Sequence, residues 1–484
     1  MSTDLFDRAP KTRAFLPLML TMIVIEAAGV FEQTMIIGAI PYLAGYFETD
    51  LLSVSWLITI FVLVGAVSAI VAGRLGDVFG RKKVLAILLV LSVIGSIISL
   101  VIGTFPALIV ARALQGTSAG IVPLLVGLSR EALEPKRVPV AVSIITATAV
   151  LTGGLGTFVG GLFVDAGQWH LMFAVSAGLA LVALVLGALV LPRSRTYAGS
   201  REIDWLGAIL LAPAVMAILF GLTTARSEGF LAPLVLTCLV GGVAVLLFWI
   251  WLELRIPSPM VNLRFLANPL VARTVIATVL LGLGMLSVVS VAIPVISVTP
   301  AELPIGVGLS ASTFGLLTLV GAIIGFILSP WVGRLVARFG GGPVLVTGSV
   351  IGVVTYAPLL VPGVNKVTGV VIFAIMMGAV ALTFLAAALY NLMAEAVPAE
   401  NTSESIGVLQ VIRNISIAVG TVIASTILSS SSVAETSAPT PAAWTWTIVY
   451  LIAILIAMTL VALTIGRRQP AGVAPEPTEA ARAS

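Results

Sequence analysis

The chain of 484 residues carries one cysteine, Cys238, and one histidine, His170. A lone cysteine excludes an internal disulfide and a cysteine-based metal cage, and Cys238, set in an apolar stretch, reads as a small hydrophobe. A single histidine cannot supply a zinc-peptidase pair or a histidine-based metal site. It lies beside Trp169 at the start of an apolar run, where an interfacial position is its ordinary explanation. Charge is equally scarce. Asp, Glu, Lys and Arg make up 10% of the residues against 59% hydrophobic ones, and the mean hydropathy is +1.18. A soluble domain of this length cannot hide so much apolar surface, so the chain belongs in lipid. No basic stripe with interleaved aromatics is present, so nucleic acid is not an expected partner. No Gly-x-x-x-x-Gly-Lys-Ser/Thr run is present either, so nucleotide hydrolysis is not an expected energy source, and neither an enzyme activity nor a cofactor is expected.

What is abundant is the apolar run. A membrane-spanning helix needs about 20 such residues, and fourteen stretches qualify: 15–40, 51–72, 84–103, 106–129, 139–162, 170–192, 205–224, 231–252, 270–296, 311–335, 343–362, 367–392, 404–428 and 443–466. The runs at 270–296 and 367–392 are long enough to tilt or bend. If the N-terminus is cytoplasmic, 21 of the 25 Lys and Arg fall in cytoplasmic segments, two fall outside (Arg226, Lys366) and two lie within spans (Arg112, Arg413). That asymmetry places both termini in the cytoplasm, and an odd number of spans would destroy it. The first span is too long for a signal-peptide core and reads as an uncleaved helix. The loop Ser429–Pro441 and the tail after Arg468 are polar, or rich in Ala, Pro and Glu, and are expected to be flexible.

Between the second and third runs lies Gly73–Leu85, GRLGDVFGRKKVL, in which Asp77 sits among Arg74, Arg81, Lys82 and Lys83. The pattern returns as GRLVARFGGGPVL at Gly333–Leu345, with Gly-Arg-Leu, Phe-Gly and Val-Leu all displaced by 260 positions. The chain is therefore built twice over. Glycines permit a tight turn between two helices, and basic residues hold such a loop on the cytoplasmic side. Gly73, Asp77, Gly80, Arg81 and Lys82 match Gly-x-x-x-Asp-x-x-Gly-Arg-Lys, and on these residues the sequence resembles the major facilitator superfamily, whose loop between helices 2 and 3 carries that motif. In the second copy Ala337 and Gly341 stand where Asp77 and Arg81 stand in the first, so the halves are expected to be functionally unequal.

The 260-residue offset exceeds what six helices require, and two inserted helices account for the surplus. This 6+2+6 plan, with Asp204-Trp205-Leu206-Gly207 before the first inserted helix, resembles the fourteen-span drug:proton antiporter branch of that superfamily. The resemblance implies an all-α integral membrane protein of 14 transmembrane helices. Its parts are a cytoplasmic N-terminus at 1–14, a six-helix half at 15–192, a two-helix linker at 193–260, a second six-helix half at 261–466 and a disordered cytoplasmic tail at 467–484. It further implies a monomer in the bacterial cytoplasmic (inner) membrane that handles a small-molecule substrate and protons.

Ionisable residues inside spans cost about 2.5–3.5 kcal/mol each on insertion scales and mark functional positions. Four lie within or at the edge of the runs: Glu26, Glu32, Arg112 and Arg413. Glu32, in Phe31-Glu32-Gln33-Thr34 ahead of Pro41, occupies the place of the acid in the branch's first-helix motif Leu-Asp-x-Thr, which implies the proton-carrying role. Glu26 has no counterpart in that motif and is a second coupling candidate. At about 100° per residue it shares a helix face with Gln33, while Glu32 points about 120° away, so the two acids are expected to border a wide cavity rather than a narrow stripe. Arg112, with Gln115 and Gly116, resembles the fourth-helix motif Arg-x-x-Gln-Gly and implies a cation able to tune a nearby carboxylate. Gly153, Gly156, Gly160 and Gly161 resemble the antiporter motif of the fifth helix, with Thr157 in the place of its proline; glycines there also serve close helix packing. Arg413-Asn414 resembles the Arg-Gln pair of the thirteenth span, a candidate cavity position together with Gln33 and Gln115. Asp77 is expected to face the start of that same span, at its positive end. The reading is a proton-coupled exporter of amphipathic compounds working by alternating access. Its alternatives are proton-coupled uptake of a small organic nutrient, which Thr157 favours, and a non-transporting membrane sensor on the same fold.

Overall fold

Long runs of Leu, Val, Ile and Ala have no water to satisfy their backbone in a bilayer, so they close their hydrogen bonds within helices. The computed structural model describes residues 15–49, 51–194, 204–256, 263–361, 363–431 and 439–465. The expectations for segment 1–14, for residues 195–203, for much of the loop Ser429–Pro441 and for the tail 467–484 fall outside these residues. Among the described residues the regular elements are helices: α1 Phe15–Thr34, α2 Ile40–Tyr46, α3 Leu51–Phe79, α4 Arg81–Val101, α5 Phe105–Gly116, α6 Ile121–Ala132, α7 Val138–Asp165, α8 His170–Val190, α9 Trp205–Glu228, α10 Pro233–Glu253, α11 Pro269–Leu281, α12 Ser287–Val298, α13 Ala311–Phe339, α14 Gly341–Tyr356, α15 Thr368–Ala396, α16 Thr402–Ser429 and α17 Pro441–Thr464. Thirteen spans, two of them made by the pairs α5–α6 and α11–α12, are long and apolar enough to cross a membrane. The 24-residue α9, with its apolar stretch Ile209–Ala225, brings the plan to fourteen.

Four runs expected to be continuous are interrupted, the 343–362 run only near its end, where α14 passes into a 3-10 turn at Ala357–Leu360. The first helix ends at Thr34 instead of running to residue 40. The chain passes through a 3-10 turn at Ile37–Ala39 into α2, with Pro41 in the first turn, the one place in a helix where a missing N–H costs nothing. A 3-10 turn at Thr117–Gly120 separates α5 from α6. A π turn at Gly282–Leu286 separates α11 from α12 where Gly282 meets α16, since a Cβ at Gly282 would lie 2.5 Å from the Ser416 Cβ. The 367–392 run, by contrast, is one unbroken helix.

One hydrophobic core draws only on residues from Ala277 to Ile465, and two others only on residues from Leu18 to Leu191. The molecule is thus two bundles, α1–α8 and α11–α17. They meet along two seams, α3 against α16 and α7 against α13. The pair α9–α10 lies on the flank of the first seam, where α9 packs on both α3 and α16. Leu63, Ile70, Leu211, Leu219, Trp249 and Val411 share that patch of core, and Trp56 stacks on Phe220 with centroids 5.3 Å apart.

Candidate functional site

Two places gather polar side chains between the bundles. The first is the end of the molecule that carries Gly73–Leu85, where short loops join α3 to α4, α6 to α7 and α15 to α16. Asp77, in the last turns of α3, accepts a hydrogen bond from the Glu404 backbone N–H (3.0 Å) in the first turn of α16, so an anion sits at the positive end of that helix. Its other oxygen accepts from Arg81 Nε (2.9 Å). Arg81 is fully buried and also donates to Gly127 O (2.8 Å), Glu131 Oε1 (2.7 Å) and Ala399 O (2.6 Å). Arg74 pairs with Glu404 at 3.2 Å, and Arg130 donates to Val397 O (2.9 Å) and Thr402 Oγ1 (2.6 Å). This latch joins the two bundles through α3, α4 and α6 on one side and the α15–α16 junction on the other. Its close approach depends on Gly73, where a Cβ would lie 2.5 Å from Ser403 O, and on Gly76, where a Cβ would run into Leu124. Gly80 turns the chain with φ 99°. Lys82 points away from the seam and donates to Ala188 O (2.8 Å) and Leu191 O (2.7 Å), closing the C-terminal end of α8.

The second place is a cavity of about 310 Å³ between the bundles. Glu26, Gly29, Val30 and Gln33 of α1 line it at helical spacing, facing Tyr390 of α15 and Gln410, Arg413 and Asn414 of α16. Glu26 is 1% exposed and its Oε1 has no hydrogen-bond partner. Arg413 donates from Nη1 to Tyr390 Oη (2.9 Å), and its Nε has no partner. No ion pair joins Glu26 to Arg413 among the described residues, although the carboxyl group lies within electrostatic reach of the guanidinium.

Glu32 does not border this cavity, and neither do Arg112 or Gln115. The face of α1 about 120° from Glu26 packs on α8, and there Glu32 is fully buried. Its Oε1 accepts hydrogen bonds from Ser92 (2.5 Å), Ser176 (2.9 Å) and Ser96 (3.2 Å). Arg112 donates to two backbone carbonyls, Glu32 O (2.7 Å) and Leu57 O (3.1 Å), and to the Gln115 side chain at Oε1 (2.9 Å), with its guanidinium 4.4 Å from the Phe61 ring centroid. The expected wide cavity bordered by both acids is therefore a cavity bordered by Glu26 and a separate polar nest around Glu32.

On α7 the glycines divide by task. A Cβ at Gly156 or Gly160 would collide with Thr34 or Met35, so these two let α7 pack against the end of α1. Gly153 lines the cavity, and Gly161 meets nothing within 4 Å. Thr157 donates to Gly153 O (3.1 Å) within an α7 that runs unbroken from Val138 to Asp165. Trp169 is fully buried with its ring stacked 3.6 Å from that of His170, so the indole packs inside the bundle. No group of three or more His, Cys, Asp or Glu able to hold a metal occurs among the described residues. Sequence reasoning missed Tyr390, Gln410 and Ser118 in the cavity and Arg130, Glu131 and Glu404 in the latch. The latch residues were visible as charges at span ends; Tyr390 carried no signal beyond its helical register with Leu382 and Ala386.

The model of the Major Facilitator Superfamily matches residues 22–300 and 275–484. The uridine/deoxyuridine transporter of Lactococcus lactis subsp. cremoris is 30% identical over 357 residues, covering 70% of this chain and 72% of that protein. The lincomycin resistance protein LmrB of Listeria monocytogenes is 22% identical over 419 residues, 86% of this chain and 87% of that protein. The uncharacterized transporter YhcA of Bacillus subtilis is 25% identical over 346 residues, 69% of this chain and 63% of that protein. Among solved structures, the human organic anion transporter MFSD10 superposes with a TM-score of 0.62 at 13% identity, over 92% of this chain and 99% of that one. The proton:xylose symporter XylE superposes with a TM-score of 0.58 at 14% identity, over 93% and 95%. At such identities the structural likeness speaks to the fold alone; with the sequence match along both bundles, the chain belongs to the Major Facilitator Superfamily of secondary transporters.

Proposed function

We propose that the protein is a proton-coupled transporter that exports amphipathic compounds by alternating access. The observation that carries this reading is the buried, unpartnered carboxyl of Glu26 in a cavity between two bundles that are latched together at one end. An acid in such a place exchanges its proton as the cavity changes its opening, and helix bundles rocking about a central site are the usual way to change it. Glu26 is the exchanging group. Glu32, held by three serine hydroxyls away from the cavity, acts on it only through the position of α1. The latched end is the cytoplasmic one, both termini lie on that side, and the protein works as a monomer in a bacterial cytoplasmic membrane. Residues 15–192 and 261–466 are the moving halves, and 193–260 is an inserted linker at their flank. Export is supported by the likeness to the lincomycin resistance protein over most of both chains.

Uptake of a small organic nutrient is the second reading. It is favoured by the 30% identity to a uridine/deoxyuridine transporter and by Thr157 in the place of the antiporter proline. The two separate in inverted vesicles under an imposed pH gradient. Export loads the vesicle with substrate as protons leave it, whereas a symporter moves substrate and protons the same way. Orientation is checked by cysteine labelling in intact cells. A cysteine at Glu134 should be shielded from an impermeant thiol reagent and one at Ser431 should react; the reverse pattern would turn the molecule over.

A further inference from the structure

The cavity brings a carboxyl group and a guanidinium together and leaves polar atoms of both without a hydrogen-bond partner. Glu26 Oε1 and Gln410 Oε1 are buried acceptors without a partner, Arg413 Nε is a buried donor without one, and Ser118 Oγ is a buried hydroxyl without one. All four residues line the same cavity. The latch treats its charges in the opposite way, because Asp77, Arg81, Glu131, Arg74 and Glu404 are all joined in ion pairs. Glu26 stands on the first bundle and Arg413 on the second. The bond from Arg413 to Tyr390 Oη tethers the guanidinium on its own side, so the two charges face each other without closing.

A buried charge with no counter-charge costs several kcal/mol, and a ligand that supplies the counter-charge recovers that cost on binding. A bare cation would be attracted to Glu26 and repelled by Arg413; a bare anion would meet the reverse. A neutral molecule would leave both unpaired, the state a selective site disfavours. Resting on the reading of this cavity as the transport site, we propose that its ligand is a zwitterionic amphiphile. Its ammonium sits at Glu26 and Gln410, its carboxylate or other anionic group at Arg413 Nε, and its apolar body against Val30, Ile121, Leu281 and Leu389. Such a ligand ties one bundle to the other. The ammonium pairs only with an ionised Glu26, so where the carboxyl holds a proton before binding, its O–H gives that proton to water as the ammonium–carboxylate pair forms, with no other bond made or broken.

The test uses the full-length protein in detergent and three fluorescent probes of one skeleton: Nα-dansyl-lysine, which is zwitterionic, its methyl ester, which keeps only the cation, and its Nε-acetyl derivative, which keeps only the anion. Dansyl emission reports entry into the apolar cavity. The zwitterion should bind about tenfold or more tightly than either derivative and release one proton on binding, since each missing charge leaves its partner unpaired. Arg413→Gln should abolish the zwitterion's advantage over the ester, which itself binds more tightly once the guanidinium no longer repels it, and Glu26→Gln should likewise abolish the advantage over the acetyl derivative. Arg413→Lys, which restores the charge, should recover part of the preference and serves where the Gln variant does not fold. Equal binding of the three probes, binding of none of them, or variants that leave their ratio unchanged would overturn the proposal. Transport is read separately in proteoliposomes. A zwitterion preference without pH-driven movement of the probe sinks the transporter reading and keeps the ligand class; pH-driven transport of another compound with equal probe binding does the reverse.

Discussion

The two copies of the repeated loop agree in shape and differ in charge. Gly80 turns α3 into α4 and Gly340 turns α13 into α14, with φ of 99° and 86°. Gly73 and Gly333 each let the opposite bundle approach, Gly73 at Ser403 in the first turn of α16 and Gly333 at Val140 in the first turn of α7. The steric half of the repeat is thus symmetric. Among the described residues the charged half of the motif's loop exists once. Asp77 caps α16, whereas α7 begins with no side-chain cap and Ala337 stands in the acid's place. Arg81 ties four groups together, whereas Gly341 has no room even for a Cβ, which would run into Leu392. Beside the second seam, Asn391 of α15 donates a 3.4 Å hydrogen bond to Pro139 O of α7. Packing brings both seams together, and only one is latched. On the alternating-access reading a latch on one seam suits a molecule that must reopen, because two buried ion networks would hold the closed form too deeply to leave.

The largest effect is expected from Asp77→Asn. It takes from buried Arg81 one of two carboxylates that both lie at 2.7 Å, Glu131 remaining, and removing one partner of a buried pair costs up to about 3–5 kcal/mol. The protein should reach the membrane but lose most transport, with cysteines at the latched end gaining reactivity toward thiol reagents. Normal turnover would reduce the loop to a topology signal. Next come Gly73→Ala and Gly333→Ala, each forcing a methyl group into backbone, at about 1–3 kcal/mol. Similar losses of cysteine cross-linking across the two seams would support the steric symmetry; a silent Gly333→Ala would break it. Ala337→Asp offers α7 the cap that α16 has and should stabilise the closed second seam by about 0.5–2 kcal/mol, seen as slower turnover at equal expression. Faster turnover would mean that the second seam does not limit reopening. The smallest effect belongs to Lys82→Ala, which removes a cation from the C-terminal end of α8 at about 0.3–1 kcal/mol and should lower the melting temperature slightly without touching transport.

Hydropathy alone made the spans legible, because lipid leaves the backbone no choice but helix, and the 260-residue repeat made the two bundles legible. The breaks at Thr34, Thr117–Gly120 and Gly282–Leu286 were harder, since they answer to contacts such as Gly282 against Ser416 that a single run of residues does not display. The position of Asp77 at the start of the thirteenth span could be reasoned from the motif; the rest of the latch, Arg130 and Glu131 at the end of α6 and Glu404 at the start of α16, showed only as charges at span ends, because the bonds that join them to Arg81, Thr402 and Asp77 reach 50 or more positions along the chain. In the cavity the difficulty was one of register. Glu26 and Gln33 share a face of α1, and Glu32 lies off it by a geometry already present in the spacing. What the spacing lacked was the ring of serines on α4 and α8 that gives Glu32 its own enclosure.

That separation of the two acids supports the central claim, that proton exchange takes place at the cavity acid. Proton movement driven by a transported compound should be measured in proteoliposomes holding equal amounts of the wild type, Glu26→Gln and Glu32→Gln. We expect Glu26→Gln to abolish coupled proton movement while compound binding in some form persists, and Glu32→Gln to retain coupling at a reduced rate. Full coupling in Glu26→Gln together with its loss in Glu32→Gln would contradict the account.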